Sequence, residues 1–209
     1  MARKTREDAL KTRDALLHAA EWLFQEKGVS HTSLDDIARA AGCTRGAVYW
    51  HFRNKVDLFS ALVDRVQLPL FDQAEQVATR CADPIGALHH FCINAVRDIE
   101  ENPQSRNLLD ILFNRCEFVA ELAEVERRQR ERTRFFIDRH TAAFRRGHAL
   151  GLIHADLDPA TCARMLHSMI LGMVRTWLME PAAFPLTQEA TEALNQLLRG
   201  FGYPPPTAP

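Results

Sequence analysis

Thr44, Arg45, Gly46 and Ala47 follow one another with no bulky apolar side chain among them. A helix that opens on such a turn can push its backbone N–H groups and its arginine against a phosphate or a guanine edge. Directly behind come Tyr49-Trp50-His51-Phe52-Arg53-Asn54-Lys55, aromatic rings interleaved with hydrogen-bond donors. The Tyr49 hydroxyl, the His51 imidazole and the Lys55 ammonium suit phosphate oxygens, and Lys55 falls where the next helix begins, whose amides favour an anion. At least one of the Trp50 and Phe52 rings belongs to a small core, and Phe52 is read as the inward one.

Such a turn must be held out by a scaffold, and the preceding residues describe one. Ser33 is a helix cap with Asp36 three residues on as its reciprocal acid, and Thr44 is the cap of a second short helix. Ala38 lets the two helices cross closely, and Gly42, four positions later, tolerates the left-handed backbone of the turn. Ile37, Cys43 and Val48 are placed to pin the pair from inside. This is the layout of a helix-turn-helix, whose second helix enters the DNA major groove. The competing reading of the spacing is a packing corner in another all-α protein. The Arg/Tyr/His/Lys cluster and a basic arm in front (Arg3, Lys4, Arg6) favour DNA.

The rest of the chain also has helical period. Leu16, Leu17, Ala20, Leu23 and Phe24 share a helix face that ends at Gly28. Asn54 and Asp57 open a helix through Leu58, Leu62 and Val66, which Pro69 should kink or end. Asp83-Pro84 starts a stripe from Ile85 to Ile99, stopped at Asn102-Pro103, and Leu108, Leu112 and Cys116 form the next. A charged helix is expected from about Val119 to Arg146, closed by Gly147 or Gly151. Asp158 with Pro159 opens a helix broken by Pro181 and Pro185, and Thr187 opens the last. No stretch alternates with period two, so the expectation is an all-α chain of about nine helices.

With 209 residues, 46% hydrophobic and 25% charged, the chain is an ordinary globular protein. Met165–Val174, the longest stretch of the C-terminal third without Asp, Glu, Lys or Arg, is far short of the ~18 apolar residues that span a bilayer. The basic start leads into polar residues rather than an apolar signal segment, so a cytoplasmic location is expected. Five cysteines without CxxC spacing, and histidines without HxxxH or HExxH, argue against a disulfide framework, a metal site or another cofactor. No GxSxG, GxGxxG or P-loop is present, so an enzyme is not expected. Net charge is −1, yet residues 1–60 carry ten Lys/Arg against eight Asp/Glu. The mixed-sign run Glu126–Arg134 reads as a solvated helix face with Glu–Arg pairs four apart.

The stretch from Ala2 to Leu62 carries a resemblance. Its segments TRDALLHAA, FQEKG, TSLDDIA, AGCTRGAVYWHF and NKVDLF resemble the N-terminal DNA-binding region of the TetR/AcrR family of bacterial repressors. The opening MARKT and Ile111–Phe118 are similar to the branch that represses multidrug efflux pump genes. Cys43 departs from the usual aliphatic residue. The resemblance implies a DNA-binding domain over 1–56 and an effector-binding and dimerisation domain over 57–209. It implies a homodimer on double-stranded operator DNA, released by a small amphipathic or drug-like effector, with no membrane involved. It places Thr44, Arg45 and Gly46 near bases, Tyr49, Trp50, His51 and Lys55 on the backbone or nearby bases, and Ser33 as a second phosphate contact. The dimer interface falls on the last two helices, where Ala163, Leu166, Ile170, Val174 and Trp177 face Leu194, Leu197, Leu198 and Phe201. These stripes either meet a second copy or fill the subunit's own core. Effector candidates are Asp110, Phe113, Glu117, Phe136, Met169, Met173, Arg175 and Trp177. Against them, Met and Phe at this spacing are ordinary core, and the acids are partners for arginines. The alternative functions are a regulator of a metabolic operon with the same fold, or a helical protein that binds a partner other than DNA.

Overall fold

A computed structural model describes residues 6–116 and 123–204. Glu117, and Arg3 and Lys4 of the basic arm, lie outside the described residues. Among those described, nine α-helices and no strands are found: α1 (Arg6–Lys27), α2 (Leu34–Ala40), α3 (Arg45–His51), α4 (Lys55–Thr79), α5 (Pro84–Glu101), α6 (Pro103–Asp110), α7 (Ala123–Ala149), α8 (Pro159–Met179) and α9 (Leu186–Gly200). A π-turn, Ile111–Arg115, follows α6 directly. Period-four spacing of Leu108, Leu112 and Cys116 did not foretell it.

The chain divides into two compact units, Met1–Gln67 with Asn107–Gln129, and Leu68–Arg106 with Arg130–Pro209. This differs from a single cut after residue 56. The core of the first unit joins Leu16, Phe24, Ile37, Val48 and Phe59 to Ile111, Leu112 and Val125, so α1, α2 and α3 alone do not close it. Phe24 meets Phe59 edge-on at 5.7 Å. Pro69 does not end α4, which continues to Thr79. Proline has no backbone N–H, so the helix continues there with one internal hydrogen bond fewer.

In the second unit α5, α8 and α9 pack on one another. Ala163, Leu166, Val174 and Trp177 of α8 and Leu194, Leu198 and Phe201 of the α9 region are buried within the subunit. The stripes expected at a dimer interface therefore fill this unit's own core, with Ile170 and Leu197 half-buried at its edge. Periodicity identifies residues sharing a face; here α5 covers that face. The outward apolar residues of α8 are Met165, Leu171 and Met179.

Polar ties cross this core. His89 Nε2 meets Asn195 Oδ1 at 2.9 Å. The Arg146 guanidinium donates to the carbonyls of Ala78 (3.2 Å) and Cys81, closing the C-terminal end of α4. α7 runs past Gly147, where the missing side chain makes room for Ile85 rather than ending the helix, and the turn at Gly151 (φ +68°) follows it. Helix α9 begins at Leu186, one residue before the expected Thr187. Its cap comes from α5: the Glu100 carboxylate accepts from the amides of Leu186 and Thr187, each at 2.9 Å. Burial opposes the charge on Glu100, but those hydrogen bonds outweigh it and hold its pKa below the ordinary value.

Replacing Glu100 with Ala removes a charged cap from α9. A loss of about 1–2 kcal/mol is expected, read as a fall in melting temperature of a few degrees. Glu100→Gln, which keeps one acceptor oxygen, should fall between the two.

Candidate nucleic-acid interface

Two helices of seven residues, joined by four residues, form the corner that the sequence points to. Ser33 accepts from the Asp36 amide at 3.1 Å and Asp36 returns the bond to the Ser33 amide, a complete capping box. In the turn Gly42 has φ +64°, and the Cys43 amide donates to Ala38 O at 2.9 Å. A Cβ on Gly42 would meet nothing within 4 Å, so the backbone angle alone calls for glycine. Thr44 accepts from the Ala47 amide at 3.2 Å and opens α3. Ile37, Ala38, Val48 and Phe52 are buried and Cys43 is half-buried, as the packing requires.

With Val48 and Phe52 facing inward, the opposite side of α3 faces out. Thr44, Arg45, Gly46 and Tyr49 are exposed, and Trp50 is 72% exposed. Two depressions flank the helix. One, of about 510 Å³, brings Ser33, Arg45, Tyr49 and Lys55 together with Ser30 and Arg53. The other, of about 290 Å³, is lined by Trp50 and His51 with Ala47, Ala9 and Thr12 of α1. The expected residues thus fall on both sides of one helix.

Arg45 is tethered in the first depression. Its Nε lies 3.1 Å from Asp35 Oδ1 and its guanidinium sits 5.6 Å from the centre of the Tyr49 ring. The Tyr49 hydroxyl and the Asp35 charge both favour its protonated form. Arg53 is held by Asp57 at 3.4 Å. Lys55 does not present its ammonium to solvent as expected: the side chain is only 8% exposed and Nζ donates to Ser30 O at 3.3 Å. The lysine, first residue of α4, thereby ties the helix start to the loop at Ser30. The Ser33 hydroxyl is likewise engaged, on Asp36 Oδ2 at 2.6 Å. Ser30, His31, Arg53 and Asn54 line the same depression and carried no separate expectation; only their nearness to the aromatic run pointed to them.

The effector candidates belong to both units. Asp110 and Phe113 belong to the first unit, where Asp110 lies 3.6 Å from Arg115 and accepts from Asn114 Nδ2 at 2.7 Å. Phe113 packs partly against the first core. In the second unit, a cavity of about 120 Å³ is walled by Phe136 with Leu70, Phe91, His140, Leu166 and His167, among others. Met169, Met173, Arg175 and Trp177 are not on that wall. Arg175 is exposed, and Trp177 is buried under the Arg106 guanidinium at 5.0 Å. His140 and His167, 27 positions apart in sequence, meet with ring centres 5.9 Å apart. Burial pushes the His140 pKa down to about 3, and burial lowers that of His167 too.

Residues 16–62 match the pattern described as bacterial regulatory proteins, tetR family, and residues 83–203 match the C-terminal region of MAATS-type transcriptional repressors. The chain belongs to the TetR family. It is therefore a helix-turn-helix transcriptional regulator, and the opening resemblance is confirmed at full length. The HTH-type transcriptional regulator AcrR of Shigella flexneri is 36% identical over 202 residues, covering 96% of this chain and 94% of that one. The crystal structure of NalD, secondary repressor of the MexAB-OprM multidrug efflux pump in Pseudomonas aeruginosa, superposes with a TM-score of 0.84 at 43% identity over 93% of this chain and 98% of its own. SmeT of Stenotrophomonas maltophilia, in complex with triclosan, gives a TM-score of 0.84 at 34% identity over 95% and 99%. These TetR-family relatives have the same all-α architecture with an N-terminal helix-turn-helix.

One prediction concerns acid. An unfolded histidine binds a proton near pH 6.5 while folded His140 does not until about pH 3. Stability contributed by neutral His140 is complete above pH 6.5 and falls as pH drops towards 3, by about 1.4 kcal/mol per pH unit. His89 and His167, also lowered, act in the same direction. Between pH 6.5 and 5 the shifted carboxylates do not yet titrate, so urea midpoints at those two pH values isolate the histidines. His140→Leu should be visibly less acid-sensitive than the parent chain.

Proposed function

We propose that this TetR-family regulator binds operator DNA as a homodimer, α3 lying in the major groove, and represses a multidrug efflux operon until a small-molecule effector enters the second unit. The carrying observation is the outward row Thr44, Arg45, Gly46, Tyr49 and Trp50 on a helix whose other side is locked by Val48 and Phe52. A helix with its side chains, ~10–12 Å across, matches a groove ~12 Å wide. Arg45 then reads a base edge, with Thr44 and the bare Gly46 allowing close approach. Tyr49 with the Ser30–Ser33 loop addresses one sugar–phosphate strand, and Trp50 with His51 the other. Lys55 acts by fixing the loop. One such surface makes few phosphate contacts, so two copies ~34–36 Å apart, or a multiple of it, are needed for useful affinity. The efflux assignment is supported by NalD, whose description names such a pump, and by the identity to it along nearly the whole chain.

Helix α4 provides the coupling. It begins with Lys55, which holds the reading loop, and the same continuous helix carries Leu70 on the cavity wall. A ligand that binds better when α4 is displaced weakens DNA binding by the same factor by which DNA weakens the ligand.

Fluorescence anisotropy with the duplex upstream of the protein's own coding sequence tests the reading. Arg45→Ala should lose tenfold or more of the preference for that duplex over a scrambled one, while Trp50→Ala weakens both duplexes alike. An unchanged preference in Arg45→Ala sinks the assignment of α3 as the reader.

A further inference from the structure

The cavity of the second unit holds a polar feature that apolar packing does not explain. His140 is 5% exposed, and neither of its ring nitrogens has a hydrogen-bond partner among the described residues. Nε2 of His167, on the facing helix, is in the same state. Buried polar atoms are nearly always satisfied, and two imidazoles left bare in one cavity mark a place for a ligand with its own donor and acceptor. Around them stand Phe91, Phe136, Leu70, Leu166 and Ile170. The Phe136 and Phe91 rings are inclined by 29°, 6.4 Å apart between ring centres.

Resting on the effector reading above, we propose that this cavity selects an uncharged, single-ring aromatic molecule bearing a hydroxyl group, the phenol class, held by His140 and His167. The volume, about 120 Å³, suits one ring; an apolar cavity on the order of 150 Å³ takes benzene. A hydroxyl has one hydrogen to give and two lone pairs, and a neutral imidazole offers one acceptor and one N–H, so the two are matched. Both histidines are held neutral by burial, and Cys92, the other ionisable group on the wall, stays a thiol with its pKa pushed up to about 12. Among the described residues the wall contains no carboxylate, so a cationic drug would leave its charge buried and unpaired.

Calorimetric titration of the full-length protein without DNA, using phenol, toluene and phenyltrimethylammonium, tests this. Phenol should bind about tenfold more tightly than toluene, the worth of one buried hydrogen bond, and the cation should be the weakest of the three. His140→Leu should erase the advantage of phenol over toluene. Should that variant fail to fold, imidazole 15N shifts of the parent protein give the same answer: His140 and His167 respond to phenol and not to toluene. Equal affinities for phenol and toluene, tighter binding of the cation, or silent imidazoles would overturn the proposal. Operator affinity measured with phenol present reads the other hypothesis: phenol bound while operator affinity is unchanged overturns effector release but leaves the ligand class standing.

Discussion

Seven residues make fewer than two turns of helix, and a helix that short does not hold together in water unaided. α3 exists because the Val48 and Phe52 side chains are pressed into a core while Thr44 satisfies an amide at its open end. Those contacts also fix which side faces outward. The rest of the first unit serves that burial: α1 supplies Leu16, Leu17, Ala20 and Phe24, and the π-turn adds Ile111 and Leu112 from a distant part of the chain. The Val29 amide donates to Arg115 O at 3.1 Å, so the turn also braces the loop that leads towards α2. The first unit is therefore assembled from sequence-distant pieces.

The second unit solves a different problem. α5, α8 and α9 bury one another's apolar stripes, and α4, α5, α7 and α8 wall a small cavity in which burial suppresses the charge on two histidines. Imidazoles there lower stability in acid, and the chain carries them anyway. Function is a better account of such residues than packing.

Local chemistry was the legible part. The caps Ser33, Thr44, Asp83 and Asp158 each act on neighbours two or three residues away, so their patterns are visible in the chain itself. The inward places of Ile37, Val48 and Phe52 likewise follow from spacing. What stayed hidden depends on partners remote in sequence. Glu100 sets the start of α9 from 86 positions away. The Lys55 ammonium turns to Ser30, and no pattern around residue 55 reveals that carbonyl. The α8 and α9 stripes were recognised as stripes, but whether a second copy or α5 covers them is a question of tertiary order. His140 and His167 each look like a solitary histidine on an apolar face, and only their meeting across two helices gives them meaning.

The tethering of the surface arginines has a consequence for how such a protein travels. Arg45 leans on Asp35 and Arg53 on Asp57, so the positive groups beside α3 are already half-neutralised by carboxylates of the same unit. A duplex of arbitrary sequence offers phosphates, which must displace those carboxylates and gain little by doing so. On the proposed reading of α3, a cognate site would add base edges for a released Arg45 guanidinium. The internal ion pairs thus raise the ratio between the right sequence and the genomic background while sacrificing raw adhesion.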